Sequence, residues 1–314
     1  MSQAAETTPS VRRRAYCAAV SSASDEPLAA TASRIDHWIL LEYRGLWDRD
    51  VLGGSLLSPE LKAHLRGQLR ALGNARLLFL KRPDRRAYGR RHVFFGSSRP
   101  GAERLFELEV DHQQDLLGFD FARALAGGAT PGVPVDHPLL AVCTHGKRDR
   151  CCAKQGRPLY DALCAAAGPG WVWQSTHVGG DRFAGNVVVL PHGLYYGRVE
   201  PDDVPALLAA HAQGRVDLDR YRGRSAYPFP VQAAEHAIRE SHGLLGIDDL
   251  AAAGSERLGP GAWRVRFRAP DGSGHEVDVV EEVADEPVFL TCGAEEPKRA
   301  RRYVAAALRP LTPR

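Results

Sequence analysis

Two cysteines and a histidine are the residues of this chain whose types and spacing best fit a chemical role. Cys143 and Cys152 bound the segment CTHGKRDRCC, with eight residues between them, and His177 lies in THVGGDRFAGN. Thiolate and imidazole groups placed around short turns are typical metal ligands. Asp181 follows His177 by four residues and adds a carboxylate. The pattern predicts a metal or iron–sulfur site held by these four side chains.

Neighbouring residues leave alternatives for this site. Cys151 adjoins Cys152, and since adjacent side chains diverge, we expect one of the two to be a ligand, with Cys152 favoured. His145 could replace Asp181, but its position two residues after Cys143 is more typical of a solvated loop. The other cysteines are expected to be buried free thiols: Cys17, Cys164 and Cys292.

The segments around these residues predict how they are positioned. An apolar strand at 139–143 ends on Cys143, and a helix over about 152–167 begins at Cys152, where the helix N-terminus favours an anionic sulfur. A strand at 171–175 precedes His177. A strand pair at 186–190 and 194–199 and a helix at 201–213 follow. The order β-α-β, then β-β-α, is that of a thioredoxin-like domain.

The rest of the chain divides around this domain. We expect a flexible tail at 1–14, an N-terminal α/β domain at 15–127, the thioredoxin-like domain at 136–225 and a small C-terminal α+β extension at 226–314. The N-terminal domain is predicted from strands at 36–44, 76–80, 92–96 and 105–109 and from a helix at 58–72 whose N-cap is Ser58. Around the extension we predict a broken helix at 217–240, strands at 263–268 and 275–280, and a basic helix at about 297–308.

Composition limits the possible partners and location. The chain has 314 residues, with 41 basic and 38 acidic residues and a net charge of +3, so no nucleic acid or anionic membrane is required as a partner. No apolar run reaches the roughly 20 residues that span a bilayer. We therefore expect a cytoplasmic protein whose six cysteines are thiols or ligands. The sequence contains no evident repeat.

The cysteine and histidine segments resemble the sucrase/ferredoxin-like family. In that family a thioredoxin-like domain carries a 2Fe-2S cluster on a Cys-x8-Cys pair and a His-x3-His pair. Cys143, Cys152 and His177 match this pattern, and Asp181 stands where the family has its second histidine. Similar flanking segments are EPLAATA (26–32), WILLE (38–42), GRPLY (156–160), LPHG (190–193) and YGRV (196–199).

The resemblance implies a 2Fe-2S cluster held by Cys143, Cys152, His177 and Asp181. A carboxylate with a reference pKa of about 3.9 is ionised at neutral pH and can ligate iron. Because it adds one negative charge in place of a neutral imidazole, we expect it to stabilise the oxidised cluster and lower its potential.

The predicted function is one-electron transfer by a carrier that is not itself an enzyme and that needs a redox partner protein as its electron donor. Exposed cations could help to dock an acidic donor: Lys147, Arg148, Arg150 and Arg182. One alternative is a thiol–disulfide redox protein that uses Cys151 and Cys152. Another is a zinc-binding structural module without electron transfer.

Overall fold

The computed structural model describes residues 16–82, 89–129 and 131–311. The tail predicted at 1–14 lies outside the described residues. The first half of the chain forms α1 (Cys17–Ala23), β1 (His37–Glu42), α2 (Pro59–Leu72), β2 (Ala75–Lys81), β3 (Arg91–Ser97), β4 (Arg104–Val110), α3 (Phe121–Leu125) and β5 (Val133–Pro134).

The thioredoxin-like order predicted for the second half is confirmed. This half forms β6 (Leu139–Cys143), α4 (Arg150–Ala166), β7 (Val172–Ser175), β8 (Val187–Leu190), β9 (Leu194–Tyr196), α5 (Val204–Ala212) and β10 (Tyr221–Arg224). Strands β6 and β7 are parallel, β8 is antiparallel to β6, and β9 is antiparallel to β8. The strand order is therefore β7-β6-β8-β9, with α4 as the crossover between the parallel pair.

The first half repeats this arrangement, although the sequence contains no evident repeat. Its strand order is β2-β1-β3-β4, with β1 and β2 parallel and α2 between them. Strand β3 is antiparallel to β1, and β4 to β3. The two halves join where β2 pairs with β7 in antiparallel fashion, which makes one mixed sheet of ten strands within the described residues.

The two halves also have the same register at the ends of their first strands. Cys143 pairs with Ser175, two residues before His177. Glu42 pairs with Leu80, two residues before Arg82. In the first half these positions hold an ion pair, because the carboxylate of Glu42 is 3.2 Å from the guanidinium of Arg82.

Local sequence explains where the two crossover helices begin. The hydroxyl of Ser58 accepts a hydrogen bond from the backbone N–H of Leu61 and caps α2, as Ser58 was predicted to do. Helix α4 begins at Arg150, before the predicted start at 152, because the carboxylate of Asp149 accepts a 2.8 Å hydrogen bond from the N–H of Cys151. This cap fixes the first turn of α4, which contains both adjacent cysteines.

The C-terminal extension consists of α6 (Phe229–His242) packed on a four-stranded antiparallel sheet of β11 (Ala251–Gly259), β12 (Ala262–Arg268), β13 (Gly274–Val288) and β14 (Lys298–Pro310). The basic helix predicted at 297–308 is wrong, because this segment forms β14. Its arginines and alanines favour a helix locally, but pairing with β13 and burial of Ala300 outweigh that preference.

The broken helix predicted at 217–240 is also partly wrong. Residues Tyr221–Arg224 form β10, which pairs with the outer edge of β9, and only the part from Phe229 onward is helical. All four residues of β10 are buried, and this strand forms one edge of the ten-stranded sheet.

Candidate metal centre

Three elements of the second half bring the predicted ligands together. Cys143 is the last residue of β6, Cys152 is the third residue of α4, and His177 and Asp181 lie in the loop after β7. The carboxyl ends of β6 and β7 are adjacent because the two strands are parallel. The structure therefore places all four predicted residues beyond the carboxyl ends of these two strands.

Distances between the donor atoms define a single site. The Nδ1 atom of His177 is 4.0 Å from the sulfur of Cys143, 3.8 Å from that of Cys152 and 3.0 Å from Oδ1 of Asp181. The same carboxylate oxygen is 3.5 Å from the sulfur of Cys152. The two sulfurs and the imidazole nitrogen lie within 4.8 Å of one another, and the carboxylate of Asp181 adjoins this group at Cys152 and His177.

The ligands differ in their access to solvent. The side chains of Cys143, Cys152 and Asp181 are buried, whereas that of His177 remains 20 % exposed. His177 is thus the most solvent-exposed of these four side chains.

Hydrogen bonding and burial set the charges of these groups. The hydrogen bond between the two thiols lowers the pKa of Cys143 well below its usual value and raises the pKa of Cys152. Burial raises the pKa of Asp181, and the nearby His177 acts in the opposite direction. The ligand set therefore favours a thiolate at Cys143.

Helix α4 approaches the ligand strand closely through Gly156. A Cβ atom at this position would collide with the backbone oxygen of Cys143. Glycine is thus required for the first turns of α4 to lie against the end of β6, and this contact fixes the separation of Cys143 and Cys152.

The loop that carries His177 and Asp181 turns through Gly179 and Gly180, whose φ angles of 105° and 82° disfavour any other residue. A Cβ atom at Gly180 would collide with the guanidinium of Arg222, which lies beneath the loop.

Arg222 supports this loop, and the sequence analysis did not identify it. It is 1 % exposed and donates to the carbonyl of Gly179 at 3.0 Å and to Oδ1 of Asn186 at 2.7 Å. Burial lowers its pKa to about 10. Its position on β10 gave no local signal, because this segment was predicted to be helical. Arg222 thus places a buried cation near Cys143 and Asp181, whose negative charges act against this lowering.

Two expectations about residues near the site change. His145 is not a solvated loop residue, because it is 1 % exposed and its ring lies edge-on to that of Trp47. Cys151 does not share the site of Cys152. Its sulfur is instead 3.5 Å from that of Cys17 and 3.3 Å from that of Cys292, two cysteines that the sequence had left isolated.

Some of the cations that were expected near the site form ion pairs. Lys147 is 3.4 Å from the carboxylate of Asp48, and both side chains are exposed. Arg182 forms a 2.7 Å ion pair with Glu26, which attaches the ligand loop to the segment after α1. Arg182 therefore contributes to the architecture of the site, while Lys147 and Arg148 remain at the surface.

Comparison with known proteins identifies the class. The family model described as sucrase/ferredoxin-like matches residues 28–223, which is more than half of the chain. This chain therefore belongs to the sucrase/ferredoxin-like family. The matched range includes both thioredoxin-like halves and all four predicted ligands.

Two similar proteins are named altered inheritance of mitochondria protein 32. The one from Meyerozyma guilliermondii is 37 % identical over 95 residues, and the one from Eremothecium gossypii is 31 % identical over 117 residues. The matches cover 27 % and 32 % of this chain and 34 % and 36 % of those proteins. The chain thus spans about a third of the length of these relatives.

Among solved structures, the chain is similar to a thioredoxin-like [2Fe-2S] ferredoxin from Aquifex aeolicus, with a TM-score of 0.27 and 20 % identity. That match covers 30 % of this chain and 97 % of the ferredoxin. The Cys55Ser variant of that ferredoxin gives a TM-score of 0.26 at 19 % identity, and this match covers 28 % of this chain and 100 % of the variant.

Across the described ranges, each helix is too short or too polar to cross a membrane.

Proposed function

We propose that this chain is a one-electron carrier whose cofactor is a 2Fe-2S cluster held by Cys143, Cys152, His177 and Asp181. The observation that carries the proposal is the convergence of the donor atoms of Cys143, Cys152 and His177 within 4.8 Å of one another, with Asp181 in contact with Cys152 and His177. Two thiolates with two harder ligands match the kind of donor set that holds mixed-ligand 2Fe-2S centres. The membership of the chain in a ferredoxin-like family supports the same cofactor.

The residues of the chain have distinct parts in this function. Cys143 and Cys152 supply the sulfur ligands from rigid elements, and the loop supplies His177 and Asp181 as a second pair. The cluster, when bound, accepts and releases a single electron. The buried guanidinium of Arg222 offsets the negative charge of the ligands. The partly exposed His177 is the proposed point of entry for the electron.

A redox partner protein that supplies the electron is part of the proposal. Lys147 and Arg148 lie exposed in the loop between the two cysteine ligands. Positive charge at this surface favours an acidic docking face on the electron donor. All six cysteines are free thiols, which suits the reducing cytoplasm where we propose that the carrier works.

A single zinc ion is the second candidate for the same residues, and the compactness of the site favours it. The donor atoms of Cys143, Cys152 and His177 lie within 4.8 Å of one another, a spacing at which three ligands can share one tetrahedral ion. The protein would then be a structural module without electron transfer. The thiol–disulfide alternative has less support, because Cys151 and Cys152 face different groups of side chains.

The test compares the anaerobically purified wild type with Asp181→Ala and with the control Asp202→Ala, which alters an exposed carboxylate elsewhere in this half of the chain. We expect a brown wild type with visible charge-transfer bands, iron and acid-labile sulfide. Asp181→Ala should lose most of the bands and the sulfide, and Asp202→Ala should lose none. A colourless wild type whose zinc disappears in Cys152→Ser would establish the second candidate instead.

A further inference from the structure

A second group of thiols lies on the other side of the first turn of α4. It consists of Cys17 from α1, Asp149 and Cys151 from the start of α4, and Cys292 from the connection between β13 and β14. Their donor atoms all lie within 4.8 Å of one another. Residues separated by up to 275 positions in the chain thus meet at one point. None of them is among the proposed cluster ligands.

The three sulfurs form a nearly equilateral triangle. The distances are 3.5 Å from Cys17 to Cys151, 3.3 Å from Cys151 to Cys292 and 3.5 Å from Cys292 to Cys17. With Zn–S bonds of about 2.3 Å, tetrahedral geometry puts sulfurs about 3.8 Å apart. Both oxygens of Asp149 are 3.9 Å from the sulfur of Cys17, so the carboxylate can supply the fourth corner. The dimensions fit one ion.

Backbone N–H groups point at the sulfurs. The N–H of Ala18 donates to the sulfur of Cys151 at 3.5 Å, and the N–H of Cys17 donates to that of Cys292 at 3.4 Å. Such donors stabilise negative sulfur and orient it toward a metal. Thiols that served only as apolar packing would not need them.

The carboxylate of Asp149 is held firmly in place. It accepts hydrogen bonds from the N–H of Cys151 at 2.8 Å and from the N–H of Cys292 at 2.6 Å. Asp149 is 3 % exposed, and Cys17 and Cys151 are 2 % and 1 % exposed. A bound cation would add to these hydrogen bonds in compensating the buried carboxylate.

A disulfide does not account for this arrangement. A disulfide needs sulfurs about 2.05 Å apart and joins only two of them. Here the three sulfurs are equally spaced and all three are free thiols. An equal spacing of three sulfurs is the geometry of shared ligation.

We propose that Cys17, Cys151, Cys292 and Asp149 bind one zinc ion in a structural site separate from the proposed cluster. The three thiols bind as thiolates and release their protons to solvent, and the ion compensates the negative charge of its ligands. The site fastens three parts of the chain to one another: the N-terminal helix α1, the start of α4 and the C-terminal extension. It is closed, with four protein ligands and no open position for a substrate.

The experiment measures zinc per chain in purified wild type and in single variants. We expect about one zinc in the wild type and its loss in both Cys17→Ser and Cys292→Ser. The matched control is Cys164→Ser, because Cys164 belongs to neither group of ligands, and it should keep the zinc. Cys152→Ser should also keep it while losing any cofactor of the other site. This separates the zinc proposal from the proposed electron carrier.

Zinc X-ray absorption of the unaltered wild type gives a readout that does not depend on how the variants fold. We expect a first shell of three sulfurs and one oxygen. A shell with nitrogen and only two sulfurs places the ion at Cys143, Cys152 and His177 and overturns the proposal. It is equally overturned if Cys17→Ser and Cys292→Ser keep the wild-type zinc content, or if the wild type lacks zinc after growth and purification in its presence.

Discussion

The imidazole of His177 and the carboxylate of Asp181 contact each other, with 3.0 Å between Nδ1 and Oδ1, across a turn of two glycines. The contact brings an imidazole ring and a carboxylate to the same point from a single loop. Asp181 therefore occupies a position from which it can act as a ligand, and its charge becomes part of the electrostatics of the site. The first prediction follows from this charge.

Replacing Asp181 by histidine should raise the reduction potential of the proposed cluster. A neutral imidazole removes one negative charge that favours the oxidised form, so we expect an increase on the order of 100 mV. A second ring nitrogen that can be protonated should also make the potential more dependent on pH. Redox titration at several pH values measures both effects. Asp181→Glu is the matched control, and its potential should stay near the wild-type value. An unchanged or lowered potential in Asp181→His would contradict the charge argument.

Substituting alanine for Gly156 should weaken both the fold and the metal centre. The added methyl group would collide with the backbone oxygen of Cys143, and we expect a loss of about 1–3 kcal/mol in the free energy of unfolding. Chemical denaturation measures this loss, and cofactor content should fall with it.

The matched control for that substitution is Gly67→Ala in the middle of α2. A Cβ atom there would have its nearest neighbour, a side-chain nitrogen of Arg70, at 4.0 Å. Because alanine is the better helix former, this variant should be more stable by about 0.5–1 kcal/mol. Equal effects at the two glycines would refute the close approach of α4 to β6.

Arg222→Met should destabilise the protein and loosen the ligand loop. The substitution leaves the carbonyl of Gly179 and the side-chain oxygen of Asn186 without their buried donor, at a cost of about 3–5 kcal/mol. Arg220→Met is the control, since Arg220 is a third exposed and pairs with Asp203. It should cost less than about 1 kcal/mol. Thermal and urea unfolding compare the two, and similar losses would argue against a special role for Arg222.

His211 should make the protein sensitive to acid. Burial lowers its pKa from 6.5 to about 4, so the folded state binds fewer protons than the unfolded state. Stability should therefore fall as the pH drops below 6.5 and stop falling near 4. The total loss should be about 1–3 kcal/mol, because the ring is only partly excluded from solvent. In His211→Leu this component should be absent, as measured by urea unfolding at pH 7 and pH 4.5. An equal acid dependence in both proteins would exclude His211 as the cause.

Local patterns were sufficient for the second half as far as α5 and for the positions of its proposed ligands. The strand at Leu139–Cys143 is a run of apolar residues, and the spacing of Cys143, Cys152 and His177 lies within one short stretch of sequence. The hydroxyl of Ser58 marked the start of α2 correctly. These features depend on neighbours a few residues away, and such neighbours are visible in a sequence.

Features that depend on distant partners were not predictable. The segment Lys298–Pro310 has helix-forming residues and became a strand through its pairing with β13. Cys17 and Cys292 have no local motif, because their common neighbours are Cys151 and Asp149 from the middle of the chain. The repeat of the thioredoxin-like arrangement was hidden for the same reason, since the two halves share strand order and register and not residues.

The matching register of the two halves has a consequence for how such centres arise. Glu42 and Arg82 meet in the first half at the positions where Cys143 and His177 meet in the second. The backbone therefore brings two side chains together at the carboxyl end of the first strand in each half. The types of these two residues determine whether they form an ion pair or a pair of ligands. A few substitutions at a strand end and in the loop beyond it could therefore replace an ion pair by a pair of metal ligands, or the reverse.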